Sequence, residues 1–143
     1  MRLGQIAKSS LPLAAMMCIA TTTYADVQYL ECDVISTVER TQDGQTEPIY
    51  TNHFKLNLTI IGQRRVIRVI ESRGDTLEGQ VQVTPKEYIF NFNYKNIHDV
   101  ARNEARLDRK TGRYSASLVL SDEGSTTWTT VGDCHPAKAK PQI

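Results

Sequence analysis

The strongest constraint on this chain is a period of two. Tyr114, Ala116, Leu118 and Leu120 alternate with Arg113, Ser115, Ser117 and Val119, the pattern of a strand with one buried face. Ahead of it, Ala105 and Leu107 alternate with Glu104, Arg106 and Asp108. Between the two runs lies Asp108-Arg109-Lys110-Thr111-Gly112. An aspartate can accept hydrogen bonds from backbone N–H groups just after it, and a glycine can take the positive φ that closes a short loop. The spacing predicts a hairpin. A helix over 99–107 is the competing reading, because Ala-Arg-Asn-Glu-Ala-Arg suits one.

The same alternation recurs along the chain. Leu30, Cys32 and Val34 share one face of a first strand over 27–38, and Phe54, Leu56, Leu58 and Ile60 one face of a second. The polar run 41–48, which contains Asp43-Gly44, reads as the loop between them. Val66, Ile67, Val69 and Ile70 make a third strand that is apolar on both faces, and Leu77, Gly79, Val81 and Val83 mark a fourth. Tyr88, Phe90, Phe92 and Tyr94 form an aromatic stripe on a fifth. Residues 95–103 are the one long connection before the hairpin, and Thr126 to Asp133 is the last strand, carrying Trp128. Eight short strands joined by close turns predict an all-β, antiparallel meander. The favoured form is a closed up-and-down barrel with the architecture of lipocalins and avidin, and a β-sandwich is the alternative.

The hairpin residues Asp108-Arg109-Lys110-Thr111-Gly112-Arg113, followed by a strand and the late Cys134, resemble a pattern in small exported proteobacterial β-proteins of unknown function. The resemblance covers roughly the last third of the chain. It implies an all-β exported domain and no activity.

The amino terminus agrees with export. Arg2 and Lys8 precede an apolar stretch over 11–20, and Thr23 and Ala25 suit signal-peptidase cleavage before Asp26. The reading is a cleaved signal peptide over 1–25, a β domain over 26–134 and a flexible tail over 135–143. Removing Arg2 and Lys8 from 17 basic side chains leaves 15 against 16 acidic ones, so the mature chain is near neutral. That balance argues against nucleic acid as a partner. No segment of the sequence is apolar enough to span a bilayer. Cys18 leaves with the signal, and the remaining Cys32 and Cys134, 102 positions apart, are expected to pair in a periplasmic or extracellular setting. In a barrel the first and last strands are neighbours, so this bond would pin the closing seam.

Chemistry is sparsely written. His53, His98 and His135 are scattered, with no metal-ligand spacing, and no Gly-x-Ser-x-Gly elbow occurs. The expectation is a non-enzymatic binding module with no metal or cofactor. Tyr88, Phe90, Phe92, Tyr94, Tyr114 and Trp128 are the candidate lining for a small apolar ligand, or else core filling. His98, Arg102, Arg106 and Arg109 are the candidate surface for an envelope protein, as in periplasmic hydrolase inhibitors. A structural envelope component is the third possibility.

Overall fold

The computed structural model describes residues 26–95 and 97–137. The signal peptide expected over 1–25 and residues 138–143 of the expected tail lie outside the described residues. Eight strands follow one another: β1 (Val27–Gln42), β2 (Gln45–Ile61), β3 (Arg65–Ile70), β4 (Asp75–Val83), β5 (Glu87–Phe92), β6 (Val100–Asp108), β7 (Arg113–Asp122) and β8 (Gly124–Pro136). Each pairs antiparallel with the next, and β8 pairs with β1, closing an up-and-down barrel rather than a sandwich.

The predicted β6–β7 hairpin forms as its residues dictate. The Asp108 carboxylate accepts from the backbone N–H of Lys110 and of Thr111, both at 2.9 Å. Gly112 closes the turn at φ +80° and donates to the Asp108 carbonyl at 2.9 Å. The competing helix over 99–107 does not occur, because Ala105 and Leu107 face inward opposite Phe90 and Tyr88 of β5.

Three boundaries differ from the sequence reading. The polar run 41–48 is ladder, not loop: Thr41 pairs with Thr46 and Gln42 with Gln45, leaving Asp43-Gly44 as a two-residue turn with φ of 52° and 77°. Side-chain patterning failed there because both faces are wet, while ladder hydrogen bonds need only backbone. The long connection shrinks from 95–103 to 93–99, because β6 begins at Val100. His135, assigned to the tail, belongs to β8. It pairs with Glu31 of β1, and its Nε2 lies 3.7 Å from the Glu31 carboxylate.

The interior has two halves. In one, Phe90, Tyr114, Leu58, Ile60 and Val66 are fully buried and pack into a continuous core. Each such side chain contributes roughly 1.5–3 kcal/mol of burial free energy. Gln28 seals this end, its Nε2 donating to the Tyr88 hydroxyl at 2.8 Å. Cys32 and Cys134 are opposed across the β1–β8 ladder and form a disulfide in this half. The other half is open, and there the strand lengths are unequal. β2 pairs with β3 only over Leu56–Ile61, so on that side Gln45–Phe54 has no ladder partner among the described residues. The free edge carries Pro48, and a bulge between Val38 and Glu39 disturbs the ladder opposite it.

Two glycines let the barrel bend. Gly132 of β8 lies between Tyr114 and Val34, and Gly79 of β4 lies between Val66 and Phe92. A Cβ on Gly132 would sit 2.0 Å from the Asp33 carbonyl oxygen, and one on Gly79 would sit 2.3 Å from that of Asn91. β4 and β8 lie opposite one another in the ring, so close backbone approach is built into two facing walls.

Candidate ligand cavity

The open half of the barrel holds a cavity of about 300 Å³. That is the lower end of the range for small-molecule sites, about 300–1,000 Å³. Its apolar wall comes from Phe54, Phe92, Tyr94, Leu118 and Trp128, and its polar groups from Ser36, Asn52, Arg68, Asn103 and Thr130. Register explains the mixture. Ser36, Thr130 and Ala116 stand side by side on β1, β8 and β7, so small side chains line one wall of the open half.

Several of the polar groups have partners within the barrel. Thr130 Oγ1 donates to Ser36 Oγ at 3.1 Å across the seam. The β5–β6 ladder ends at Phe90–Ala105, which leaves the Phe92 carbonyl beyond it, and the Asn103 side-chain amide donates to that carbonyl. Three charged residues line the cavity: Arg68, Arg73 and Glu104. Arg73 is engaged by Asp75 at 3.1 Å, and Glu104 by Arg106 at 2.9 Å. Arg106 beside it holds the Glu104 carboxyl below the usual carboxylate range.

Arg68 is different. It faces inward, aligned with Leu58 on one side and Leu77 on the other, and forms no salt bridge among the described residues. Its guanidinium carbon lies 5.1 Å from the centre of the Phe92 ring. Its Nε is shut off from solvent with no hydrogen-bond acceptor, and the neighbouring Tyr114 hydroxyl is likewise without a partner. Burial pushes the Tyr114 phenol up to about 12, an effect that the positive charge of Arg68 partly opposes and Tyr94 reinforces. Arg68 and Tyr94 line the cavity, and Tyr114 belongs to the core cluster beside them.

The six aromatics expected as a lining divide. Phe92, Tyr94 and Trp128 line the cavity, whereas Tyr88, Phe90 and Tyr114 belong to the core cluster. Phe54 and Arg68, not among the residues expected at a site, line it as well. The four residues expected as a partner surface are dispersed. His98 is exposed in the 93–99 connection at the open end, Arg102 and Arg106 follow on β6, and Arg109 sits in the turn at the sealed end. Arg106 is tied to Glu87 and Glu104. Arg109 lies over the Tyr88 ring at 5.1 Å and donates to the Thr84 carbonyl at 2.7 Å.

Among the described residues no group of three or more His, Cys, Asp or Glu is placed to hold a metal ion. No helix among them is long and apolar enough to cross a membrane. Comparison of the sequence with protein-family models and with curated proteins finds no match.

Proposed function

We propose that this protein is an exported binding module that holds a small, largely apolar molecule in the open half of its barrel. The observation that carries this reading is the cavity itself: a barrel packed solid at one end and lined at the other by Phe54, Phe92, Tyr94 and Trp128 around about 300 Å³. A domain evolved only for stability gains from filling such a space, because voids forfeit dispersion contacts. The Cys32–Cys134 disulfide supports export, since such bonds persist in oxidising compartments.

The test is native mass spectrometry of the protein recovered from its own cells, beside Ala116→Trp, which places an indole in the cavity. A small-molecule mass carried by the wild type and absent from Ala116→Trp is the expected outcome. Equal retention by both proteins, each folded by circular dichroism, would place the ligand elsewhere and end the cavity reading.

The free edge of β2 favours a second reading, a module that docks an envelope protein. Ile49 and Tyr50 are 52% and 53% exposed on that stretch, and an open edge can accept an added strand. Ile49→Lys should then weaken the partner complex and leave a cavity ligand bound; undiminished partner affinity would remove this edge as the interface.

A further inference from the structure

We infer that the ligand is an organic anion, a small carboxylate whose headgroup meets Arg68 and whose apolar body lies against Phe54, Tyr94, Leu118 and Trp128. The inference rests on the cavity reading above and specifies its chemistry. A guanidinium is not deprotonated in proteins, so its burial has to be met by a partner. Inside the barrel Arg68 finds no carboxylate among the described residues, and the two other charged lining residues are occupied by Asp75 and Arg106. The Phe92 ring at 5.1 Å offsets part of the cost but accepts no hydrogen bond in the guanidinium plane. The Nε is enclosed while the residue as a whole keeps intermediate exposure, so the rest of the side chain faces the cavity. The charge the protein leaves unmatched is thus positive and open to the cavity. A planar carboxylate matches a guanidinium in shape and charge. The remaining lining offers a ligand mainly aromatic and aliphatic surface, which excludes a bare inorganic ion as the best occupant. A volume of about 300 Å³ equals that of about ten waters in the liquid, which suits a monocarboxylate on the order of ten to fifteen non-hydrogen atoms.

Trp128 is the single tryptophan of the chain and lines the cavity, so its fluorescence reports occupancy directly. The purified full-length mature protein is titrated with octanoate and 4-phenylbutanoate, and with the amide of each as a neutral partner of the same shape. Calorimetry accompanies the fluorescence. Wild type should bind the carboxylates about 10- to 100-fold more tightly than the amides, the range expected for a charge-assisted contact. Arg68→Met should abolish that preference while keeping amide binding, which also shows that its cavity is intact, and Arg68→Lys should restore part of it. Equal affinity for acid and amide in wild type, unchanged by Arg68→Met, overturns the anion assignment and leaves the cavity reading standing. Failure of all four compounds to perturb Trp128 or release heat overturns both.

Discussion

The tightest point in the barrel gives the most demanding prediction. Replacing Gly132 by alanine would put a Cβ 2.0 Å from the Asp33 carbonyl oxygen, 2.7 Å from Val34 Cα and 2.8 Å from Val34 Cγ1. The nearest contact is about 1.4 Å short of the ordinary 3.4 Å limit, and the obstacle is backbone, which cannot rotate away as a side chain can. β1 and β8 would have to part, yet the Cys32–Cys134 disulfide clamps them two residues along. Overpacking a core costs about 1–3 kcal/mol, and an obstruction by clamped backbone belongs at the top of that range. Gly44→Ala is the control. Its φ is +77° with nothing within 4 Å of the added Cβ, so it bears only the left-handed backbone cost of about 1–2 kcal/mol. Urea unfolding followed by circular dichroism should lower the Gly132→Ala midpoint by about 1 M or more, given slopes of about 1–3 kcal/mol/M. Repeating the substitution in a Cys32→Ala/Cys134→Ala background closes a double-mutant cycle. With the clamp gone the strands can separate, so the cost of Gly132→Ala should fall by about 1 kcal/mol. A Gly132→Ala protein no less stable than Gly44→Ala, or a cost that ignores the disulfide, would refute the steric account.

Other consequences can be measured with the same protein. Cys32→Ala/Cys134→Ala alone should cost about 4–5 kcal/mol and raise the urea slope, because a loop of 102 residues is released in the unfolded chain; an unchanged slope would show that the unfolded ensemble is no less compact. Tyr114→Phe removes a buried hydroxyl that has no partner and should leave stability equal or up to about 1 kcal/mol higher, whereas a loss in thermal unfolding would reveal a hidden hydrogen bond. Burial disfavours the ionised Tyr114 phenol and raises it to about 12, so stability is intact below the ordinary tyrosine value and is lost as pH rises from there through about 12. Ultraviolet titration should find one tyrosine ionising last, and Tyr114→Phe should delete that step. Asp108 is held below the ordinary aspartate range, first by the Thr111 N–H and then by that of Lys110, so its stabilisation is present above the unfolded value and lost as pH falls through the folded one. Carboxyl NMR should show that early midpoint, and Asp108→Asn should flatten this part of the acid limb.

How much was legible follows from where burial writes a pattern. Strands with one wet and one buried face, such as Tyr114–Leu120, announce themselves, and so does the Asp108–Gly112 turn. Pairing of Cys32 with Cys134 across the seam was readable because closure makes the first and last strands neighbours. The β1–β2 extension was not readable, because its ladder stands in water on both faces. Arg68 was hidden for another reason. β3 is apolar in both phases, so Ile67 and Val69 compete with Val66 and Ile70 as its inner face, and an arginine favours the outward choice. Only the register with Leu58 and Leu77 turns it inward. The aromatic stripe was legible as a stripe, but whether a ring fills or lines depends on which half of the barrel the register brings it to. Phe90, between Ala105 and Val81, lies in the sealed half, while Trp128, aligned with Val38 and Leu118, lines the cavity together with Ser36, Thr130 and Ala116.

The edge of β2 that has no partner among the described residues bears on how the molecule behaves in a crowd. From Gln45 to Phe54 it offers a row of backbone donors and acceptors to any identical edge it meets. Pro48 removes one donor from that row, Glu47 adds charge, and the Val38/Glu39 bulge keeps the ribbon from lying flat. Pro48→Val restores the donor and adds a β-branched side chain. Light scattering should then show a concentration-dependent aggregate that the wild-type protein avoids. Closure of the ring thus leaves ten residues open among the described ones, and Pro48, Glu47 and the bulge stand where edge-to-edge pairing would start.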